Sequence, residues 1–282
     1  MHLPITVGIS STLGIRGIIA TEPLSVGTIV ERCPLIFLPV SQGKFLKETV
    51  LWKYYFEWTK AYHCLAMGYG SLVNHSFKPN IQYIFDYSHK TLNFKVIEPI
   101  KSGEEVFVNY NGNPYSMEPI PEELIDSNKH FSHAKKDTFQ KHLKGLDMPF
   151  TIGMSPTLGI RGLIADRDIK EGQTIERCPV VFFPRSEEVA MDQTVIGKYY
   201  FEWNKEKNAV CLGYGALINH SYTPNVYFGR SFRNNVLVFT AYRDIKKGEE
   251  LVSNYNGYDE ESMNDPVDPE HVDFDQHHKA LV

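Results

Sequence analysis

Residues 74–80 have the sequence NHSFKPN, and residues 219–225 have the closely matching sequence NHSYTPN, 145 positions further along the chain. The same offset relates motifs on both sides of this stretch: LGIRG at 13–17 and 158–162, ERCP at 31–34 and 176–179, YYFEW at 54–58 and 199–203, GEE at 103–105 and 248–250, and NYNG at 109–112 and 254–257. Matched motifs at one fixed spacing indicate a structural unit that occurs twice.

The length of the repeat predicts two domains rather than a solenoid. Solenoid units have about 20 to 50 residues, whereas a unit of about 110 residues can bury a core of its own. We therefore predict two like domains, residues 1–112 and 150–258, whose matched parts are 6–112 and 151–257. Residues 113–149 would form a partly helical linker, with helix starts near Pro121 and in 131–145. An acidic tail, 259–282, is expected to be solvated and partly disordered.

Composition excludes several classes of protein. The chain is 42% hydrophobic and 22% charged, as expected for a globular protein. Its net charge of −5 argues against binding nucleic acid through phosphates but suits a basic peptide partner. The segment Met1–Pro4 leads directly into the first repeat, with neither the pattern of a signal peptide nor a long apolar stretch. We therefore expect a cytoplasmic or nuclear protein that makes no membrane contact.

The cysteines and histidines do not predict a metal centre. Cys33, Cys64, Cys178 and Cys211 include no pair at the spacing of a zinc site. They are expected to be buried thiols in a reducing compartment. His75 has no carboxylate or cysteine next to it in the motif, so a metal or triad role is poorly supported.

Local patterns predict a mostly β architecture with one helix in each unit. Short apolar runs are separated by glycine and proline, and two strands close each unit, at 91–97 and 106–110 and again at 236–242 and 251–255. Leu51, Tyr54, Tyr55 and Trp58 are spaced i, i+3, i+4 and i+7, which favours a helix with one apolar face.

The motifs together resemble the signature of the SET-domain protein lysine methyltransferases. In that family NHS-x-x-PN is followed by GEE-x-x-x-x-Tyr, and the sequence RGIIA at 16–20, with Gly27 and Glu31, resembles the amino-terminal motif. The resemblance covers both repeats almost end to end and is closest to the minimal SET domains of viruses and bacteria. It implies two tandem SET domains of the β-clip type, built from small sheets with a knot-like carboxyl end.

The resemblance also implies roles for particular residues. Those that match the catalytic tyrosine are Tyr110 and Tyr255. Those that match the binding site for S-adenosylmethionine are Arg16, Gly17, Asn74, His75, Arg161, Gly162, Asn219 and His220. Tyr54 and Tyr199 are expected in the channel for the target lysine or beside the cofactor. Tyr69 and Tyr214, just before the NHS motif, are candidates for the same channel but could instead belong to the core. Tyr115 and Tyr258 are candidates for an aromatic lid over the cofactor.

Departures from the family pattern leave alternatives open. The first glycine of the family's Gly-x-Gly is replaced by Ile15 and Ile160, so the glycine segment can equally be a hairpin turn. A lone histidine is often a satisfied core residue, and the tyrosines of 54–58 can be the face of an ordinary helix. The position associated with product multiplicity is Val108 in one copy and Ser253 in the other, so the number of methyl groups added is not fixed.

Three functional hypotheses follow. The first is transfer of methyl groups from S-adenosylmethionine, giving S-adenosylhomocysteine, to lysines of a protein such as a basic histone tail, with the two copies packed as an intramolecular pseudo-dimer. The second is a catalytically inactive SET-like peptide-binding or scaffold protein, and the third is a β-rich module without a ligand. Because 82–91 and 227–236 share almost nothing, the copies would differ in substrate, or only one would bind it.

Overall fold

The computed structural model describes residues 1–125, 144–258 and 263–267, and most of its regular structure is strand. The strands of the first repeat are β1 (His2–Leu3), β2 (Ile5–Ile9), β3 (Arg16–Ala20), β4 (Ile29–Pro39), β5 (Tyr55–Glu57), β6 (Tyr62–Ala66), β7 (Asn74–His75), β8 (Ile81–Asp86), β9 (Thr91–Val96) and β10 (Glu105–Val108). Between the repeats, β11 (Leu146–Asp147) pairs with β1. The strands of the second repeat are β12 (Phe150–Met154), β13 (Arg161–Ala165), β14 (Thr174–Pro184), β15 (Tyr200–Glu202), β16 (Lys207–Cys211), β17 (Asn219–His220), β18 (Val226–Ser231), β19 (Val236–Ala241) and β20 (Glu250–Ser253).

The described helices are short. The α-helices are α1 (Gly43–Leu46), α2 (Glu122–Ile125) and α3 (Glu188–Asp192). Single 3-10 turns occupy Val40–Gln42, Val50–Lys53, Tyr69–Leu72, Arg185–Glu187, Val195–Lys198 and Tyr214–Leu217. The helix start predicted near Pro121 agrees with α2, whereas most of the helix predicted for 131–145 and most of the acidic tail lie outside the described residues. No described helix has the length and apolar character needed to cross a membrane.

Each repeat builds one four-stranded and one five-stranded sheet. In the first repeat the strand orders are β2-β3-β10-β7 and β5-β6-β4-β9-β8, and in the second β12-β13-β20-β17 and β15-β16-β14-β19-β18. The pairings of β10 with β7 and of β20 with β17 are parallel, while those of β10 with β3 and of β20 with β13 are antiparallel. The predicted mostly β fold, with one structural unit built twice, is therefore confirmed.

The helix predicted between residues 51 and 58 is wrong. Residues Val50–Lys53 form one 3-10 turn, after which β5 begins at Tyr55 and pairs with β6. The matched segment Tyr200–Glu202 is also a strand. Tyr-Tyr-Phe and Trp are side chains that favour strands, and the i, i+3 spacing between Leu51 and Tyr54 is met by the 3-10 turn alone.

The closing strands were predicted well, and the burial of their side chains shows why. In β9, Leu92, Phe94 and Val96 are buried, and the residues between them are half-buried. A strand places successive side chains on opposite faces, so this alternation gives one face to the core. The hairpin that joins β8 to β9 contains Lys90 in the left-handed region at a φ of 53°.

The chain divides into two compact units that do not follow the repeats at every point. One unit consists of His2–Leu35 and Leu51–Asp147, and the other of Met1, Ile36–Val50 and Met148–Val282. The segment Ile36–Val50, which belongs to the first repeat by sequence, is thus grouped with the second. The domain bounds proposed from the sequence stay a prediction.

Candidate active site

The parallel pairing of β7 with β10 brings the two most informative motifs of the first repeat together. Asn74 lies opposite Phe107, and His75 lies opposite Val108, two residues before Tyr110. The backbone N–H of Tyr110 donates to Nδ1 of His75 at 3.2 Å. The Tyr110 hydroxyl donates to the carbonyl oxygen of Val73 at 2.9 Å, which fixes the direction of the phenol.

The second repeat builds the same arrangement. The backbone N–H of Tyr255 donates to Nδ1 of His220 at 3.2 Å, and its hydroxyl donates to the carbonyl oxygen of Ile218 at 2.8 Å. The ring centroids of His220 and Tyr255 are 5.2 Å apart, compared with 5.3 Å for His75 and Tyr110. Two independent copies of one geometry indicate that the sequence encodes it.

The side chain of Asn74 is held by the protein itself. It is 1% exposed, and its Nδ2 donates to the carbonyl oxygen of Arg16 at 3.0 Å and to Oε1 of Glu105 at 2.8 Å. A Cβ atom on Gly17 would lie 2.5 Å from that Oε1 and 2.6 Å from that Nδ2. The glycine is therefore required by the close approach of the Asn74–Glu105 pair, a role that the sequence did not indicate.

The matched pair in the second repeat is Asn219 and Glu250. Nδ2 of Asn219 donates to the carbonyl oxygen of Arg161 at 3.1 Å and to Oε1 of Glu250 at 2.8 Å. Oε2 of Glu250 accepts from Ser155 at 2.6 Å. A Cβ on Gly162 would lie 2.7 Å from both members of the pair. The predicted cofactor residues are thus brought together in each repeat, through a glutamate that was not predicted.

Arg16 is buried beneath the site and interacts with Tyr54. Burial lowers the pKa of the guanidinium to about 10, and a hydrogen bond with Tyr54 acts in the opposite direction. The arginine therefore stays charged at neutral pH. Arg161, its counterpart, is half-buried.

His75 and His220 are neutral acceptors at Nδ1. Burial lowers the pKa of each imidazole below its usual value, so the neutral form dominates at pH 7. Because Nδ1 accepts from the backbone of the tyrosine, the remaining proton is assigned to Nε2. Nε2 of both residues is buried and forms no hydrogen bond with any described residue. A buried N–H donor without a partner is costly, and a ligand with an acceptor atom would satisfy it.

A cavity lies beside each catalytic tyrosine candidate. The first cavity has a volume of about 460 Å³, and the second has a volume of about 590 Å³. Aromatic side chains that line the first are Trp52, Tyr54, Tyr55, Phe56, Tyr83, Phe85, Phe94 and Tyr110. Those that line the second are Tyr199, Tyr200, Phe201, Phe228, Phe239 and Tyr255. Val108 and Ser253, the positions associated with product multiplicity, line the two cavities at matched places.

Tyr69 and Tyr214 do not reach these cavities. Both are 1% exposed and lie in the core, in turns whose backbone N–H groups are bound by a buried glutamate. Glu31 accepts from the N–H groups of Tyr69 at 3.0 Å and Gly70 at 2.7 Å. Glu176 does the same for Tyr214 and Gly215 in the second repeat. The structure thus buries these two tyrosines in the core and outside the lining of the two cavities, while a role in the channel stays a prediction.

The two lid candidates have different surroundings. Tyr115 is 86% exposed. Tyr258 donates its hydroxyl hydrogen to the carbonyl oxygen of Val226 at 2.7 Å and packs near Tyr227 and Tyr242. Residue 113, which matches Tyr258 by the repeat offset, is an asparagine, so this aromatic cluster belongs to the second repeat.

Sequence reasoning missed several residues of the site. Tyr55, Phe56 and Tyr83 line the first cavity but were not singled out. Tyr83 lies in the segment that diverges between the copies, where no motif marks it. Glu105 could have been found, because it belongs to the GEE motif that recurs at the repeat offset as residues 248–250.

The arrangement can hold an uncharged amine within an aromatic wall, beside a fixed phenol. Aromatic faces attract a cation, while a desolvated cavity disfavours its charged form.

In the described part of the chain, no group of three or more His, Cys, Asp or Glu residues could hold a metal ion. The four cysteines are buried free thiols.

A family model described as SET domain matches the chain twice, over residues 15–111 and 160–256. These segments cover more than half of the 282 residues, so the chain belongs to the SET-domain family. Each matched segment contains one of the two tyrosine sites.

Individual proteins are similar to parts of the chain. The chain is similar to the histone-lysine N-methyltransferase, H3 lysine-37 specific, of Schizosaccharomyces pombe, with 35% identity over 121 residues, 40% of this chain and 82% of that protein. A Plasmodium falciparum structure assigned as a histone methyltransferase has 32% identity, covers 38% of this chain and 92% of its own, and has a TM-score of 0.30. The Chaetomium thermophilum Polycomb Repressive Complex 2 bound to S-adenosylmethionine has 23% identity over 38% of this chain and 15% of its own, with a TM-score of 0.34. Family membership and the fission yeast relative together support a protein-lysine methyltransferase.

Proposed function

We propose that this chain transfers methyl groups from S-adenosylmethionine to lysine side chains of a protein substrate. The observation that carries the proposal is the phenol fixed at the wall of an aromatic cavity, built once around Tyr110 and again around Tyr255. A structural tyrosine would not need to line a cavity of this kind in both repeats.

The residues of each cavity would prepare the lysine for reaction. A free lysine has a pKa of about 10.4 and is protonated at neutral pH. The aromatic walls would disfavour the charged form of the entering amine, so that it loses its proton before transfer. Because the hydroxyl hydrogen of Tyr110 is directed at the Val73 carbonyl, its oxygen can accept a hydrogen bond from the amine and orient the lone pair. Alignment of this kind can account for much of a rate enhancement.

The cofactor would be held by the polar residues next to each tyrosine. S-adenosylmethionine would supply the activated methyl group, and S-adenosylhomocysteine would be the product. The buried Nε2–H groups of His75 and His220 fit a ligand that carries acceptor atoms. The residues proposed to hold the cofactor, directly or through their backbone, are Arg16, Gly17, Asn74 and His75, with Arg161, Gly162, Asn219 and His220.

A histone tail in the nucleus is the substrate and location that the comparisons favour. The relative from fission yeast acts on histone H3, as its name states. The net charge of −5 on this chain suits a basic tail, although charge complementarity mainly affects association rate and choice of partner.

Two matched hydrogen bonds support an intramolecular pseudo-dimer of the repeats. Oε1 of Gln42 accepts from the N–H of Val195 at 3.0 Å, and Oε2 of Glu187 accepts from the N–H of Val50 at 2.8 Å. Gln42 and Glu187 are matched by the repeat offset, and so are Val50 and Val195. Exchange of equivalent contacts is what a two-fold arrangement requires.

A second candidate function is peptide binding without turnover. It is favoured by Ile15 and Ile160, which replace the first glycine of the family's cofactor motif and are buried. If bulky side chains at these positions prevent the cofactor from binding, the aromatic cavities would still hold a lysine side chain. Equilibrium binding of S-adenosylmethionine to the intact chain distinguishes the two functions.

The test is transfer of labelled methyl from S-adenosylmethionine to core histones and to a mixed lysate. Wild type would be compared with Tyr110→Phe, Tyr255→Phe and the double variant, which keep the ring and remove the hydroxyl. We expect label in wild type and at most a trace in the double variant. Loss in one single variant would identify the working half. No label on any acceptor, with no cofactor binding, would overturn the proposal in favour of peptide binding.

A further inference from the structure

The walls of the two cavities differ at positions that the repeat makes equivalent. The first cavity is lined by Trp52 and Phe85 at the positions where the second is lined by Gly197 and Arg230. Several other aromatic residues of the lining are identical in the two repeats, including Tyr54 with its counterpart Tyr199. The two cavities thus share the catalytic tyrosine candidate and much of their aromatic lining, and they differ at the positions just named.

In the first repeat the variable position contributes to an aromatic surface. Phe85 is half-buried and packs edge-on against Trp58, with ring centroids 5.2 Å apart and an interplanar angle of 90°. Tyr83 lies on the same strand and also lines the cavity. Together with Trp52, these side chains give the first cavity an apolar wall. Such a wall favours binding of a substrate whose apolar parts it covers.

In the second repeat the same position holds an anchored cation. Nη1 of Arg230 donates to the carbonyl oxygens of Glu202 at 3.1 Å and Trp203 at 3.3 Å. Nη2 and Nε of Arg230 form no hydrogen bond within the described residues, and the side chain is exposed. A guanidinium binds a carboxylate through two parallel N–H groups, and anchoring reduces the entropy lost when it does so.

The charges that line the cavities differ accordingly. Lys53 and Glu57 line the first cavity and offset each other. Lys198 and Glu202 are their counterparts in the second, where Arg230 adds one positive charge. Glu202 is in turn paired with Arg185 at 2.8 Å. A substrate with further basic residues beside its lysine would therefore be repelled from the second cavity more than from the first.

We infer that the two repeats accept lysines in different sequence surroundings: the Tyr255 half selects an acidic residue near the target lysine, and the Tyr110 half selects an apolar one. The inference rests on the proposed function and names the substrate class of each site.

The experiment measures methyl transfer to synthetic peptides by each half of the full-length chain. The peptides carry one central lysine and differ in whether aspartate, leucine, phenylalanine or a non-acceptor arginine flanks it. Tyr255→Phe isolates the first site and Tyr110→Phe isolates the second. We expect the second site to prefer the aspartate peptides over the leucine peptides in kcat/KM, and the first site to show the reverse.

Exchange of the variable residue gives the sharper test. Arg230→Phe in the Tyr110→Phe background should lower the preference for aspartate about fivefold, the size expected for a partly exposed ion pair. Phe85→Arg in the Tyr255→Phe background should raise the aspartate preference of the first site. Arg230→Lys should keep part of the preference, since it keeps the charge but not the paired N–H groups.

Arg233→Phe is the matched control, because it removes the same charge from an exposed position of the same hairpin that does not line the cavity. Equal use of all peptides by both sites, or equal effects of Arg230→Phe and Arg233→Phe, would overturn the inference while methyl transfer itself stands. Absence of label from every peptide and from histones with the wild-type chain would instead overturn the proposed function, and the inference with it.

Discussion

At the scale of single residues, Glu105 connects most of the first site. Its carboxylate holds the amide of Asn74, and its backbone carbonyl accepts from Nδ2 of Asn80 at 2.8 Å. The same residue faces Gly17 so closely that no side chain fits there. One buried carboxylate thus positions two motifs that are far apart in the sequence.

We expect Glu105→Gln to change how stability depends on pH. Burial raises the pKa of Glu105, so the native state binds its proton more tightly than the unfolded chain does. The contribution of Glu105 to the free energy of unfolding is therefore fully present below its unfolded pKa of about 4.3. This contribution is lost as the pH rises through the higher pKa of the folded state. Urea unfolding between pH 4 and 7 would show wild type losing stability relative to the variant as the pH rises. Glu104→Gln, at an exposed neighbour, is the control, and an identical pH dependence in both variants would refute the assignment.

Gly17→Ala should destabilise the protein by about 1–3 kcal/mol, since overpacking forces the Asn74–Glu105 pair apart. The expected readout is a lower thermal midpoint. Gly229→Ala is the matched control, because a Cβ there meets nothing within 4 Å and its φ is not positive. A fall in midpoint no larger than that of the control would show that the glycine is not needed for packing.

The sequence predicted these residues through their motifs but not their contacts. Asn74, His75 and Tyr110 were identified because each recurs at the fixed offset within a recognisable pattern. Glu105 was part of the same pattern, yet its pairing with Asn74 depends on a parallel strand contact that spacing along the chain does not reveal. The position of Tyr69 just before the motif left core and channel both open, and its burial follows from the turn bound by Glu31.

At the scale of elements, short turns and strands replace the predicted helix. The pattern at residues 51–58 met the spacing of a helix, but the aromatic side chains from Tyr55 onwards pair with β6. Periodicity does not separate a 3-10 turn followed by a strand from two helical turns over so few residues. The closing strands, by contrast, alternate over six residues in β9, which is long enough to identify the structure.

The turn Tyr69–Leu72 depends on Glu31, and Glu31→Ala should cost about 3 kcal/mol. The carboxylate is buried and accepts from two backbone N–H groups, both of which would lose their partner. Chemical denaturation measures the loss. Glu176→Ala should have an effect of similar size in the second repeat, while Glu98→Ala, at an exposed position, should change the free energy of unfolding by less than about 0.5 kcal/mol. Equal small effects for all three would contradict this role.

At the scale of the whole molecule, the two compact units do not coincide with the two repeats, because of the segment Ile36–Val50. It belongs to the first repeat by sequence but to the compact unit of the second. Its Gln42 binds the backbone of Val195, and its own Val50 is bound by Glu187. No property of the sequence indicated this grouping, because a repeat defines equivalent positions and not which copy a segment packs against.

Gln42→Ala should expose the amide of Val195 to solvent. We expect faster hydrogen exchange at that amide, by about fivefold for the loss of a hydrogen bond worth about 1 kcal/mol. The amide of Val50 should be unaffected, since its acceptor is Glu187. Glu187→Ala should give the opposite pattern, which makes each variant the control of the other. Unchanged exchange at both amides would mean that neither contact persists in solution.

The grouping of Ile36–Val50 with the second repeat bears on how such a chain could arise. In an ancestor with a single repeat, a second copy of the chain would have had to cover the same segment. The fraction of chains paired in this way would have depended on their concentration in the cell. Duplication within one gene would have made that encounter intramolecular, with an effective concentration of about millimolar for a short linker. After duplication the two repeats no longer had to be identical in sequence. Each was free to accumulate its own substitutions, and the matched positions 85 and 230 now differ.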